Sequence, residues 1–71
     1  MTVTTRQTEK LLQGNYKFSQ LGFSMMLTRL KVMYAEDPSP EVLQNSTREI
    51  NTFIDKFKLI MENDCQVISE L

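Results

Sequence analysis

The sequence contains no histidine and no tryptophan, and it has a single cysteine, two glycines and two prolines. The missing histidines remove the most common catalytic base, and the lone Cys65 can form neither a zinc site nor a disulfide within the chain. No glycine-rich loop is present that could hold a phosphate group. We therefore predict a protein that is not an enzyme and that has no catalytic residue, no metal site and no cofactor.

Long apolar runs are also missing from the chain. No stretch approaches the roughly 18–20 apolar residues that a membrane-spanning helix needs, so we expect no membrane contact. Residues 1–10 are polar, which is not typical of a secretory signal. The unpaired Cys65 fits a reducing compartment, and together these features predict a cytoplasmic protein.

The strongest positive signal is a line of mostly apolar residues, spaced alternately by three and four, in the second half of the chain. We call this line the stripe. Such spacing places the residues on one face of an α-helix, and a stripe this long must pack against another helix. Strand patterns are absent, so we predict an all-α fold. The stripe consists of Leu43, Ser46, Ile50, Phe53, Phe57, Ile60, Asp64, Val67 and Leu71, and it is widened by Ile54, Met61 and Ile68.

Both prolines lie in one short segment, which divides the chain into two predicted helices. Pro38 disfavours helical backbone at the residue before it, whereas Ser39 and Pro40 are preferred at the N-cap and the first turn of a helix. The whole chain, residues 1–71, is predicted to be a single helical-hairpin domain. Its predicted parts are a first helix over about 8–35, a turn at 36–39 and a second helix over about 40–70.

The first predicted helix contains one weak point. Gly14 and Asn15 both disfavour a helix interior, but the apolar spacing continues on either side of them, so we predict one uninterrupted helix. Near its start, Thr4 and Gln7 have the spacing of a capping box.

Folding the two helices back on each other predicts specific contacts. In this antiparallel register Phe53 meets Gly22, whose missing side chain leaves room for the ring. Phe57 meets Phe18, and the two rings Phe53 and Phe57 form the centre of the contact. Asp64, the only charged residue of the stripe, is placed within reach of Lys10.

A second apolar line on the first helix predicts assembly. A two-helix hairpin covers only one face of that helix, and a chain of this size buries too little surface to be stable without further support. We therefore predict a homodimer that forms a four-helix bundle, acting as a small regulatory or adaptor protein that binds a protein partner. The predicted interaction surface consists of Leu11, Phe18, Met25, Arg29 and Val32.

Charge is distributed unevenly and leaves a second function open. Residues 1–35 carry five basic and one acidic side chain, whereas residues 36–71 carry three basic and eight acidic ones. Lys10, Lys17 and Lys31 share one side of the first predicted helix, as in proteins that contact nucleic-acid phosphates. The isoelectric point near 5.3 disfavours nucleic acid as the partner and favours pairing between the two halves of the chain.

A third possibility comes from a family resemblance. The run Thr47-Arg48-Glu49-Ile50-Asn51-Thr52-Phe53-Ile54 resembles the Ser-Gln-Glu-Leu-Asp helix of the small sporulation-type aspartyl-phosphate phosphatases. Those proteins are also helical hairpins, and the resemblance implies a regulator or phosphatase of a response-regulator domain. Two positions depart from the family pattern, because Thr47 stands where the family has serine and Asn51 stands where it has its key acid.

Overall fold

The computed structural model describes all 71 residues and confirms the predicted all-α class, since the chain forms four helices and no strand. None of the four is both long enough and apolar enough to cross a lipid bilayer. The helices are α1 (Thr5–Gln13), α2 (Leu21–Glu36), α3 (Pro40–Lys56) and α4 (Glu62–Ser69).

The N-termini of α1 and α3 follow the capping signals of the sequence. The predicted capping box is present: the Gln7 N–H donates to Thr4 Oγ1 (3.1 Å) and the Thr4 N–H donates to Gln7 Oε1 (3.0 Å). This box starts α1 three residues earlier than predicted. Ser39 caps α3 as predicted, by accepting from the Val42 N–H at 3.2 Å, and Pro40 is the first helical residue.

The prediction of one uninterrupted helix over 8–35 is wrong. The chain leaves the helix at Gly14, whose backbone is extended (φ −92°, ψ −176°), and α2 begins only at Leu21. Gln20 then caps α2, because its side-chain oxygen accepts from the Phe23 N–H at 2.8 Å. The predicted weak point is thus a complete break, which turns α1 away from the axis of α2.

The predicted helix over 40–70 is also interrupted, at Phe57–Met61, although this stretch contains neither glycine nor proline. The break shortens the molecule, because a straight helix of that length would span roughly 46 Å. The longest dimension of the Cα trace is only 32 Å. Bending at residue 57 lets α4 turn back towards the start of the chain, where the Gln7 side chain donates to the Ile68 carbonyl oxygen (3.5 Å).

One hydrophobic core joins all four helices and the N-terminal segment. Phe23 is fully buried, and its ring lies 5.2 Å from that of Phe18 and 5.6 Å from that of Phe53, centroid to centroid. The predicted contact between Phe53 and Gly22 is present, since a Cβ built on Gly22 would lie 3.4 Å from the Phe53 ring. The buried apolar residues are Val3, Leu11, Leu12, Phe23, Leu27, Leu30, Tyr34, Ile50, Ile54, Met61 and Ile68.

The break in the second predicted helix changes which residues of the stripe are buried. Phe57, Ile60 and Val67 were predicted to be buried, but all three are exposed. Met61 and Ile68, which only widened the stripe, are fully buried instead. The bend rotates the last eleven residues relative to α3, so that a different side of the chain faces the core.

Candidate interaction surfaces

The five residues of the predicted interaction surface do not form one surface. Leu11 is only 1% exposed and belongs to the core, so its assignment to an interaction surface is corrected. Phe18 is half-buried against Phe23, and Arg29 is paired with Glu49 through a 2.6 Å contact between Nη2 and Oε1. Met25 and Val32 are exposed. The break at Gly14 causes this separation, because it takes Leu11 off the line that Met25 and Val32 continue.

Met25 and Val32 belong to an apolar line along the solvent side of α2, which we call the outer α2 face and define as Leu21, Met25, Thr28 and Val32. These residues are spaced by four, three and four, so they share one side of the helix, and the buried Phe23, Leu27, Leu30 and Tyr34 occupy the opposite side. Leu21, Met25 and Val32 are 72%, 65% and 55% exposed. Sequence reasoning missed Leu21, although its spacing from Met25 was a usable signal.

A second exposed apolar segment is the junction between α3 and α4, residues 57–60. Leu59 is 91% exposed and Ile60 is 54% exposed, although neither lies at a chain end. The junction lies at the same end of the molecule as Leu21. This placement follows because Asp64, just after the junction, is hydrogen-bonded to Gln20, just before Leu21. Sequence analysis could not identify this segment, because it predicted a continuous helix there.

A third feature is an open groove between α2 and α3, with a volume of about 310 Å³. Met26, Phe53 and Phe57 form its apolar part, and the rings of Phe53 and Phe57 are in contact, with centroids 4.6 Å apart and planes inclined at 48°. Four polar residues complete the lining: Arg48, Glu49, Thr52 and Lys56. We call it the α2–α3 groove.

The lysine column proposed for nucleic-acid binding does not exist in the folded chain. Lys10 lies on α1 and its Nζ donates to the Leu71 carbonyl oxygen at 2.7 Å. Lys17 lies in the segment between α1 and α2, and Lys31 lies on α2. The break at Gly14 therefore divides the three lysines among three different elements.

Asp64 is buried, but the predicted proximity to Lys10 is wrong. Its carboxylate accepts three hydrogen bonds from the segment between α1 and α2. The Ser19 N–H and hydroxyl both donate to Oδ1 (2.8 Å each), and the Gln20 N–H donates to Oδ2 (3.0 Å). The carboxylate thus ties the start of α4 to the start of α2, which is a structural role.

The two residues that carry the phosphatase resemblance are engaged within the chain. Asn51 clamps the N-terminal segment, because its Oδ1 accepts from the Val3 N–H (2.6 Å) and its Nδ2 donates to the Val3 carbonyl oxygen (3.0 Å). The Thr47 hydroxyl lies 2.8 Å from the hydroxyl of Thr8 and donates to the Leu43 carbonyl oxygen. These contacts give both side chains a role in holding the first residues of the chain to α3.

Two titratable groups are perturbed by their surroundings. The pKa of Tyr34 is raised, first because its hydroxyl donates to a carboxylate oxygen of Glu9 (3.0 Å), and further by burial and by the Glu9 charge. The pKa of the half-buried Cys65 thiol is raised mainly by burial, and the neighbouring Asp64 charge adds to that effect, although the N-terminal amino group opposes it. A raised pKa reduces the thiolate fraction at neutral pH, so Cys65 is a weak nucleophile. No group of three or more His, Cys, Asp or Glu side chains converges to ligate a metal ion.

Comparison with known proteins finds no matching protein family, no similar curated protein and no similar solved structure.

Proposed function

We propose that this chain is a small, non-catalytic protein–protein interaction module of regulatory or adaptor type that self-associates through the outer α2 face. The observation that carries the proposal is the exposure of Leu21, Met25 and Val32 in one line opposite the core side of the same helix. A soluble monomer rarely exposes aligned large apolar side chains without a partner to cover them. The unpaired Cys65 is consistent with action in the cytoplasm.

The spacing of the outer α2 face suits pairing with a second copy of α2. Steps of four, three and four are those of a two-helix seam, in which apolar residues of one helix fit between those of the other. In an antiparallel pair, Leu21 of one copy comes opposite Val32 of the other, and Met25 comes opposite Thr28. This register places Arg29 and Lys31 opposite Gly22 and Ser24 of the other copy, so no like charges face each other.

The area needed for a stable dimer extends beyond this line. A standard interface takes about 800 Å² from each partner, which is about one sixth of the 4773 Å² accessible surface of the chain. The α3–α4 junction lies at the same end as Leu21 and offers Leu59 and Ile60 as additional apolar surface. Such a dimer places the two α2 helices side by side in the centre and α3 of each copy on the outside, because the outer α2 face lies opposite the core; this layered order replaces the four-helix bundle with one common core that the sequence predicts.

Sedimentation equilibrium tests the proposal. At micromolar concentration the unmodified protein should have about twice the 8.3 kDa mass of the chain. The double variant Met25→Glu with Val32→Glu should sediment as a single chain and remain helical, because both residues are exposed and exposed substitutions change stability by only about 0.5 kcal/mol.

Gln44→Glu is the control for added charge, since it introduces one carboxylate at an exposed position of α3 outside the proposed interface. It should keep the dimer mass. A single-chain mass for the unmodified protein at these concentrations would contradict self-association, and a dimer that persists in the double variant would contradict the outer α2 face as its interface.

A further inference from the structure

The α2–α3 groove is an apolar surface that the chain leaves unfilled. Its apolar lining comes from Met26 on α2 and from Phe53 and Phe57 at the end of α3, and the Phe57 side chain is still 37% exposed. The volume of about 310 Å³ is at the lower end of the range of about 300–1,000 Å³ typical of binding pockets. An open groove of this size can take one or two bulky apolar side chains of a partner.

The residues that line the groove carry more positive than negative charge. Glu49 is the only acidic residue in the lining, and Arg29 neutralises it through the 2.6 Å ion pair. Arg48 and Lys56 also line the groove, and neither forms an ion pair within the chain. The groove therefore presents two uncompensated positive charges beside an apolar floor.

These two cations are also positioned along the groove rather than at one point. Arg48 and Lys56 are eight residues apart on α3, which corresponds to roughly 12 Å along the helix axis. Lys56 Nζ lies 5.8 Å from the centroid of the Phe57 ring, so its charge is held close to the apolar floor. A complementary ligand must carry negative charges about two helical turns apart on either side of an apolar anchor.

We propose that the α2–α3 groove binds an acidic amphipathic helix of another protein. Its bulky apolar side chains contact Met26, Phe53 and Phe57, and its carboxylates pair with Arg48 and Lys56. Apolar residues at helical spacing in a groove between two helices are an established recognition mode, and complementary charges at the rim add orientation and specificity. The groove is distinct from the outer α2 face, since consecutive residues, Met25 and Met26, lie on the two surfaces.

The methionines make this proposal testable by NMR of protein labelled with ¹³C at the methionine methyl groups. The probe is a synthetic amphipathic helical peptide with leucine and phenylalanine on one face and glutamates beside that face; the comparison peptide has glutamine in place of every glutamate. The acidic peptide should shift the Met26 methyl resonance and leave those of Met25, on the outer α2 face, and Met61, in the core, in place. Raising the salt concentration should weaken binding, because screening reduces attraction between exposed charges.

Charge-removing variants then test the role of the two cations. Arg48→Gln with Lys56→Gln should weaken binding of the acidic peptide about tenfold, as expected for two exposed ion pairs in the upper part of their range. Arg6→Gln with Lys17→Gln removes the same charge from exposed positions outside the groove and should change binding by less than about twofold. Unchanged urea midpoints would show that both double variants remain folded.

The absence of a Met26 shift at millimolar acidic peptide, or a peptide-induced shift at Met25 instead, would overturn the proposal. Equal binding of the glutamine peptide, or equal weakening of binding by both double variants, would overturn it as well. A Met26 shift that appears on concentrating the protein alone would assign the groove to a second copy and would also overturn it. Self-association through the outer α2 face is read from Met25 and from the sedimentation mass, so the two proposals can fail separately.

Discussion

At the scale of single residues, a buried and a half-buried polar side chain organise the connections between segments of the chain. Asp64 is the clearest example, because its carboxylate accepts three hydrogen bonds from Ser19 and Gln20 and thereby joins α4 to the start of α2. Asn51 does the same for the first residues of the chain through its two bonds to Val3. Both residues interrupt or flank apolar positions of the sequence. Removing their polar atoms from water costs free energy, and the hydrogen bonds that these atoms form within the chain offset that cost.

The change Asp64→Asn should lower the free energy of unfolding by about 1.5–3 kcal/mol, the range for hydrogen bonds to a charged group. The amide presents an N–H₂ group where one carboxylate oxygen now accepts, so one donor of the α1–α2 segment loses its partner. Urea unfolding followed by circular dichroism measures the effect. Asp55→Asn is the control, because Asp55 is exposed and should change stability by less than about 0.5 kcal/mol. Equal midpoints for the two variants would contradict a structural role for Asp64.

At the scale of elements, the two breaks have different origins. The break after α1 has a local cause, since Gly14 adopts extended backbone and a side chain there would overlap the Tyr16 ring and approach the Lys10 carbonyl oxygen to 2.8 Å. The break after α3 has no local cause in the sequence, because no glycine or proline lies near it. It follows from the need to bury Met61 and Ile68 in the same core as α1 and α2.

The two glycines provide a matched pair for testing the first break. Gly14→Ala should destabilise the chain by on the order of 1–3 kcal/mol, because the new methyl group meets backbone that cannot move aside easily. Gly22→Ala should change stability by less than about 1 kcal/mol, since its nearest neighbour, the Gln20 oxygen that caps α2, lies 3.0 Å away and has to shift by only a few tenths of an ångström, and alanine favours the helix. Thermal unfolding of both variants measures the difference. A Gly14→Ala variant as stable as the unmodified chain would contradict the required close approach.

At the scale of the whole molecule, the centre of the core is not where the stripe predicted it. Phe53 is half-buried and Phe57 is exposed, whereas Phe23 is fully buried between Phe18 and Phe53. A chain of this length has a total stability of roughly 4–10 kcal/mol. Burial of one aromatic ring can therefore contribute a large fraction of the total stability.

Replacing Phe23 and Phe57 by alanine, one at a time, should show which of the two rings lies in the core. Phe23→Ala should cost about 3–5 kcal/mol, because it removes a fully buried ring and leaves a cavity. Phe57→Ala should cost less than about half of that, since its ring is already in contact with water. Urea midpoints at one protein concentration give both values, and Phe23→Leu, which leaves a smaller cavity, provides a measurable variant if Phe23→Ala does not fold. A larger loss from Phe57→Ala than from Phe23→Ala would contradict the position of the core.

The amino-acid sequence by itself determined the helical class, the turn before Pro40, the caps at Thr4 and Ser39, and the contact of Gly22 with Phe53. The caps and the turn depend on neighbouring residues, and the helical class depends on periodicity along one segment. The contact of Gly22 with Phe53 is tertiary, but its register follows from counting back along both helices from the short turn between them. The break at residues 57–61, the burial of Leu11 and the partners of Asp64 were decided by tertiary structure. A straight 40–70 helix would leave the apolar side of its last two turns without a core to cover it, so burial of Met61 and Ile68 outweighs the helical hydrogen bonds given up at the junction. The same bend exposes Leu59 and Phe57 and leaves the α2–α3 groove open, which is why these surfaces could be recognised only in the folded chain.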